Sequence, residues 1–143
     1  MVINDQIQIR IANWPNDSDA LQAIRKIVFI NEQHVPVELE WDGLDADCIH
    51  VLAFFDETPI GTARLLLDGH IGRMAVLKNW RNQGVGSAML QRLLEEIRHR
   101  DIQHAVLNAQ LVAVGFYRRF GFQAEGEEFM DAGIPHIRMV LKI

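Results

Sequence analysis

The chain has 143 residues, of which 49% are hydrophobic and 23% are charged, and its formal net charge is −5. This length fits a single domain, 1–143, that can bury a core without disulfides or metals. The acidic balance argues against a nucleic-acid partner, and the apolar runs are too short to span a membrane.

The single cysteine, Cys48, rules out an internal disulfide framework and is typical of a reducing compartment. The N-terminal stretch MVINDQIQIR has no charged segment followed by an apolar one, so we find no secretory signal in it. We therefore expect a cytoplasmic protein.

The first part of the chain predicts one strand, one helix and an acidic segment. Residues 6–11 (QIQIRI) alternate between polar and apolar, as in a half-buried strand. Apolar side chains at helical spacing predict a helix over 19–31, for which the polar run 16–18 (NDS) offers caps. The stretch 35–48 is acidic, and we expect it to be irregular with a short helix.

A meander of three strands is expected next, over 50–55, 60–67 and 70–76. The turn signals DETP and DG separate these apolar runs. The first two strands should therefore form a hairpin, with the third added beside the second.

The second half of the chain alternates helices and strands. A long amphipathic helix begins near Gly86, because apolar residues recur there at i, i+3, i+4 and i+7. A strand over 104–109, a short helix over 111–120 and two last strands over 122–129 and 136–143 follow. The whole order predicts a mixed α/β sheet with helices on its faces.

The stretch RNQGVGSAML (81–90) joins the meander to the long helix. Backbone N–H groups at 84–87 lack intrahelical partners and lie at the positive end of the helix dipole. Two glycines let an anion approach, and Lys78, Arg81 and Arg73 could add charge, so we expect a phosphate site. The alternative is a glycine-containing turn that caps the helix without a ligand.

Two common phosphate-binding motifs do not fit this loop. The P-loop needs a lysine after its second conserved glycine, and none follows either glycine here. The dinucleotide fingerprint needs a small residue where Met89 stands and an acidic residue after the next strand, HAVLNA.

The stretches IGRMAVLKNWRNQGVGSAML and LNAQLVAVGFYRRFGF together resemble the GNAT superfamily of N-acetyltransferases. RKIVFINEQHVPVELEWDGLDADCIHVLA and GIPHIRM resemble its ElaA-like branch. The resemblance implies a mixed, mostly antiparallel central sheet with helices on both faces. It also implies acetyl transfer from acetyl-CoA to a primary amine of a small molecule or peptide, by direct attack in a ternary complex.

The resemblance implies that acetyl-CoA binds along one strand of the sheet and at the glycine loop. Met74 and Val76 would pair their backbone with the pantetheine arm, and Asn108 would bond that arm or a water. The alternatives are core residues at 74 and 76 and a sheet-end asparagine at 108. The implied cofactor-binding residues are Met74, Ala75, Val76, Arg81, Asn82, Gln83, Gly84, Val85, Gly86, Ser87, Asn108 and Tyr117.

Three residues are the candidates for proton transfer. Tyr117, the only tyrosine, stands where the family's tyrosine protonates the leaving thiolate, although it could instead be a packing residue. We rank Glu32 first as acceptor of the amine proton and His136 second, with His34 and His50 as further candidates. Each of these could instead be a capping or core polar residue. We expect no metal, because the histidines and the cysteine lack ligand spacing.

The acidic segment 38–47 could be a mouth that attracts a cationic amine, with Trp41 as a cation–π face, or a solvated loop. The alternative to an enzyme is a non-catalytic acyl-CoA-binding or regulatory module, or a protein-interaction domain without cofactor. The last two strands could also mediate a homodimer.

Overall fold

The structure is a computed structural model and describes residues 6–143. Residues 1–5, which begin the N-terminal stretch in which we found no secretory signal, lie outside the described residues. Within residues 6–143 the strands are Ile7–Ala12 (β1), Ile49–Phe55 (β2), Thr58–Leu65 (β3), His70–Val76 (β4), His104–Gln110 (β5), Gln123–Asp131 (β6) and Ile134–Lys142 (β7). The α-helices of this part are Trp14–Arg25 (α1), Val37–Glu40 (α2), Val85–His99 (α3) and Val114–Arg118 (α4), and Lys26–Glu32 is π-helical.

The described strands form one sheet in the order β1-β2-β3-β4-β5-β7-β6. Its pairs are antiparallel except for β4 and β5, which run parallel. The helix α3 supplies the crossover that a parallel pair requires. The expected mixed, mostly antiparallel sheet and the three-stranded meander are both confirmed.

Helices cover both faces of the sheet. Successive side chains of a strand point to opposite faces, so neighbouring residues of one strand pack against different helices. Val51 of β2 packs into a buried cluster with Met89 and Leu93 of α3. Its neighbour Leu52 packs into a second cluster with Leu21 of α1. The two clusters bury β2, an inner strand of the sheet, from both faces.

The first helix begins earlier than the sequence predicted, at Trp14, with Pro15 in its first turn. The Asp17 carboxylate accepts a hydrogen bond from the backbone N–H of Asn13, just before this helix, at 2.8 Å. Asp17 therefore does not cap a helix that begins at residue 19, as the sequence predicted. The last part of the predicted helix is π-helical over Lys26–Glu32. Periodicity alone does not distinguish this wider winding from an α-helix.

Most other predicted elements lie within a few residues of the observed ones, and β4 agrees at both ends. The predicted helix over 111–120 is instead a 3-10 turn, Leu111–Ala113, followed by the short α4. The last two strands are longer than predicted and meet in a tight turn.

Candidate active site

The strands β4 and β5 diverge to form a cleft. They are paired only where His70 and Ile71 meet Val106 and Leu107, and they separate beyond that point. The β3–β4 register shifts in the same region, where Arg73 has a φ of 50°. Bulges of this kind re-aim strands beside active sites, so the cleft is built into the sheet.

A cavity of about 390 Å³ opens at this cleft. Its lining includes Met74 of β4, Asn108 of β5, Tyr117 of α4, His136 of β7 and Phe29 of the π-helical segment. The structure therefore brings together four residues that the sequence singled out separately.

The side chain of Tyr117 is half-buried, and its hydroxyl donates to the sulfur of Met74 at 3.9 Å. A thioether is a weak acceptor, so this hydroxyl can change partner easily. The rings of Phe116 and Phe122 pack edge-on against Tyr117, with centroids 5.0 and 5.9 Å away. Burial raises the pKa of Tyr117 to about 12, so the phenol keeps its proton at neutral pH.

His136 faces the cavity with a defined tautomer. Its Nδ1 atom lies 2.6 Å from the carbonyl oxygen of Ile134. Because a carbonyl oxygen can only accept, Nδ1 must carry the proton, which leaves Nε2 of the neutral ring able to accept one. The ring also stacks on Phe129, with centroids 6.0 Å apart.

The glycine loop leads into the N-terminus of α3. Gly84 has a φ of 87° and Asn82 a φ of 63°, both left-handed. The first intrahelical bond runs from the N–H of Ala88 to the carbonyl of Gly84 at 3.0 Å, so the N–H groups of 85–87 precede it. Such N–H groups, together with the dipole of a 15-residue helix, fit the phosphates of a coenzyme.

The remaining loop residues differ in exposure. Val85 and Ser87 are buried, Asn82 and Gln83 are exposed, and Gly86 lies beside the ring of Phe116. A β-carbon at 86 would lie 3.6 Å from that ring, an ordinary contact. The packing of the protein around Gly86 would therefore also accommodate a residue with a β-carbon.

Arg81 and Glu32 are paired with each other. Two nitrogens of Arg81 bond the two carboxylate oxygens of Glu32 at 2.6 and 2.9 Å, and its Nε bonds the carbonyl of Val76 at 2.9 Å. The Arg81 guanidinium holds the pKa of Glu32 below its ordinary value. Since a carboxylate of low pKa is a weak base, this geometry favours a structural role for Glu32.

Arg73, which the sequence offered as a further charge at the loop, turns the other way. Its Nη2 atom bonds the carbonyls of Leu39 and Glu40 and the carboxylate of Asp42. That expectation was wrong, because the left-handed residue in the bulge aims its side chain at α2.

The sequence model of the family described as "Acetyltransferase (GNAT) domain" matches residues 19–143. The chain belongs to the GNAT acetyltransferase family. The uncharacterized N-acetyltransferase YjcF of Bacillus subtilis (strain 168) is 37% identical over 121 residues, which are 82% of this chain and 86% of that protein. ElaA of Escherichia coli (strain K12) is 32% identical over 132 residues, 87% and 86% of the two chains.

Solved structures agree with the family assignment. The crystal structure of E. coli ElaA matches with a TM-score of 0.82 at 29% identity, covering 94% of this chain and 98% of that one. An acyl-CoA N-acyltransferase from Pseudomonas aeruginosa matches with a TM-score of 0.83 at 30% identity, again covering 94% and 98%. The protein is an N-acetyltransferase of the ElaA-like branch, and acetyl transfer from acetyl-CoA is the general reaction of its family.

In this GNAT protein three carboxylates of the acidic segment belong to a largely buried ion-pair network. Arg25 bonds Glu40 and Asp45, each at 2.6 Å. Arg64 bonds Asp42 at 2.8 Å and Asp45 at 3.1 Å. The carboxylates of Glu40, Asp42 and Asp45 are therefore paired with arginines of the protein itself.

Sequence reasoning missed the cationic half of this network. The available signal was the ElaA-like pattern itself, in which Arg25 precedes the acidic residues. Trp41 does form a cation–π contact, but with Arg25, whose guanidinium carbon lies 4.9 Å from the ring centroid. The ring of Trp41, which the sequence offered to a substrate cation, thus contacts an arginine of the protein itself.

The other histidine candidates, His34 and His50, do not line the cavity. His50 is buried, donates from Nε2 to the carbonyl of Asp45 at 2.8 Å and stacks on Trp14. Burial lowers the pKa of His50, which keeps this ring neutral. His34 is exposed.

Two further findings concern only the described part of the chain, residues 6–143. It holds no group of three or more histidine, cysteine or acidic side chains arranged to bind a metal ion. None of its helices is long and apolar enough to cross a membrane.

Proposed function

We propose that this protein transfers the acetyl group of acetyl-CoA to a primary amine of a small molecule or peptide. The amine attacks the thioester directly while both substrates are bound. One observation carries the proposal: β4 and β5 diverge where Tyr117, Asn108 and His136 face one cavity. A thioester lying in the cleft would be reached by an amine from the cavity.

The cofactor end of the site is supported by the loop into α3. The N–H groups of 85–87 and the left-handed Gly84 suit the pyrophosphate, with Asn82 and Gln83 on its exposed rim. The strand β4 is paired with β3 at Ala75 and Val76, whereas it is paired with β5 only at His70 and Ile71. Its free side can bond the pantetheine arm, with Asn108 across the cleft.

Tyr117 is the group we assign to the leaving thiolate. When the amine forms its bond to the carbonyl carbon and the C–S bond breaks, the sulfur takes the phenolic proton. The raised pKa keeps that proton in place until it is needed. The same dry surroundings also disfavour a free thiolate and raise its proton affinity, so the transfer remains accessible.

His136 is the residue we assign to the amine proton. Its Nε2 is the unprotonated nitrogen of the neutral ring, and its side chain lines the cavity. Glu32, which the sequence ranked first, is paired with Arg81 and has a lowered pKa. We therefore place the proton route at His136.

Direct attack is favoured over an acyl-enzyme because the cysteine is unsuited to be a nucleophile. Burial raises the pKa of Cys48, whose thiol donates to the carbonyl of Leu44 at 3.1 Å. A reactive cysteine needs the opposite shift.

The test is release of free CoA from acetyl-CoA in the presence of pooled amines: polyamines, amino sugars, aminoglycosides, amino acids and short peptides. We expect one pool to release CoA faster than a reaction without acceptor. If no pool does so while the protein still binds acetyl-CoA, the weight moves to a non-catalytic acyl-CoA-binding module.

A further inference from the structure

We propose that Glu32 and Gln33 bridge the open end of the cleft, and that this bridge holds the acetyl-CoA site in its binding geometry. The inference rests on the proposed function, and it makes Glu32, Gln33 and Arg81 positioning residues. Consecutive residues of one segment would thereby fix both walls of the cleft.

The open end lies where β4 and β5 finish. The two strands are parallel and are paired only near their beginnings, so their last residues, Val76 and Gln110, lie at the divergent end. Because the two strand ends are paired with β3 and β7 but not with each other, a side-chain connection across the cleft would fix their separation directly.

Glu32 makes the connection to the β4 wall. It binds Arg81 through two hydrogen bonds of 2.6 and 2.9 Å, and Arg81 in turn binds the carbonyl of Val76 at 2.9 Å. A planar guanidinium paired with a carboxylate in this way is held in orientation as well as in position. The start of the glycine loop is thereby tied to the end of β4.

Gln33 makes the connection to the β5 wall. Its Oε1 atom accepts a hydrogen bond from Nε2 of Gln110 at 3.0 Å. Gln33 also lines the cavity, as does Gln110. The second wall of the cleft is therefore tied to the same segment one residue further along.

The segment that carries both residues is well anchored. Gln33 donates its N–H to the carbonyl of Val28 at 3.0 Å, and Val35 donates to Phe29 at 2.8 Å. Val28 and Phe29 are buried in the cluster on the α1 face of the sheet. The bridge is thus fixed to the core rather than to a surface loop.

A positioning role for Arg81 and direct binding of the phosphates by Arg81 predict opposite effects of removing Glu32. If Arg81 bound the phosphates, Glu32 would compete with them, and removing Glu32 would strengthen acetyl-CoA binding. If the bridge positions the loop, removing Glu32 weakens binding. The sign of one measured change separates the two roles.

The experiment is a calorimetric double-mutant cycle on the dissociation constant for acetyl-CoA, with Glu32→Ala, Arg81→Ala and the double variant. We expect each single variant to bind about tenfold more weakly, and the double variant to bind no more weakly than either. Equal or tighter binding by Glu32→Ala, or losses that add in the double variant, would overturn the bridge.

The connection between Gln33 and Gln110 is tested with Gln33→Ala, Gln110→Ala and the double variant. The two single variants should weaken acetyl-CoA binding by a similar factor, and the double variant should bind no more weakly than either. Gln103→Ala, whose amide bonds the carbonyl of Asp101 outside the cavity, is the matched control and should leave binding unchanged. Losses that add between positions 33 and 110 would contradict a shared connection. Unfolding midpoints of all variants show whether a loss reflects misfolding.

Steady-state kinetics separate positioning from proton transfer at Glu32. Glu32→Gln should raise KM for acetyl-CoA while kcat at saturation changes by less than about threefold. A loss in kcat of about 100-fold or more with unchanged KM would make Glu32 the base and overturn the bridge. Failure of the wild-type protein to bind acetyl-CoA would instead remove the cofactor site itself.

Discussion

The Nε atom of Arg25 lies 2.6 Å from Oε2 of Glu40, and the two side chains are only 1% and 3% exposed. This buried pair supports the wall of the cavity, because Glu40 lines it. Burial raises the pKa of Glu40, and the arginines Arg73 and Arg25 oppose the shift. The carboxylate therefore depends on these partners to stay ionised.

Replacing Arg25 by methionine should lower the free energy of unfolding by about 3–5 kcal/mol, because it removes the buried arginine that bonds both Glu40 and Asp45. Chemical denaturation measures this loss. The matched control is Arg10→Met in the exposed pair with Asp17, which should change stability by at most about 1 kcal/mol. Similar losses in both variants would show that burial of the pair does not matter.

Tyr117→Phe should lower kcat by about 100-fold with little change in KM for acetyl-CoA, because it removes the proton donor and keeps the ring. Steady-state rates with the acceptor from the amine pools measure both constants. The control is Val112→Ala, at a residue that is 94% exposed and lies four positions before Phe116, and it should keep full activity. Full turnover by the phenylalanine variant would rule out Tyr117 as the acid.

Gly84→Ala should weaken acetyl-CoA binding and also destabilise the fold by about 1–2 kcal/mol, the cost of a side chain in the left-handed region. Gly126→Ala pays a similar backbone cost at a φ of 80° in β6, with open space around it. Calorimetry should therefore show weaker binding only for the variant at 84. If both variants bind alike, the loop does not hold the cofactor.

Asp42 should make the fold sensitive to acid. A hydrogen bond from Arg64 is the main cause that holds the pKa of Asp42 at about 2, below its ordinary 3.8. Because the folded-state pKa is depressed, its stabilisation is complete above the unfolded pKa and is lost as the pH falls from about 4 to about 2. Asp42→Asn should cost about 1–2 kcal/mol at neutral pH.

The check is the difference in unfolding free energy between wild-type and Asp42→Asn as a function of pH. It should be constant above about pH 5 and shrink towards zero near pH 2. Glu38→Gln, at an exposed position on α2, serves as the control. A difference that does not change with pH would show that the ion pair is not its source.

Local sequence signals predicted the parts of this molecule that depend on neighbouring residues. The turn at Asp68-Gly69 and the apolar pattern after it set both ends of β4. The glycine at 84 and the amphipathic pattern after it located the start of α3. Tyr117 could be singled out because its motif is contiguous.

The parts that could not be predicted depend on contacts between distant positions. Glu32 and Arg81 are 49 residues apart, and Arg64 and Asp42 are 22 apart. The order of the strands brings these residues into contact, and that order cannot be predicted from the composition of each segment. An acidic segment and a separate arginine therefore suggested an open mouth and a phosphate ligand, and the ion pairs that each of them forms within the protein were not foreseen.

In the proposed reaction the acetyl group passes to an amine in one step, with both substrates bound. Intact-mass spectrometry after incubation with isotopically labelled acetyl-CoA, first without and then with the amine, tests it most directly. We expect unmodified protein in the first sample, and labelled amide with an equal amount of free CoA in the second. Stoichiometric labelling of the protein before the amine is added, followed by loss of that label to the amine, would contradict it.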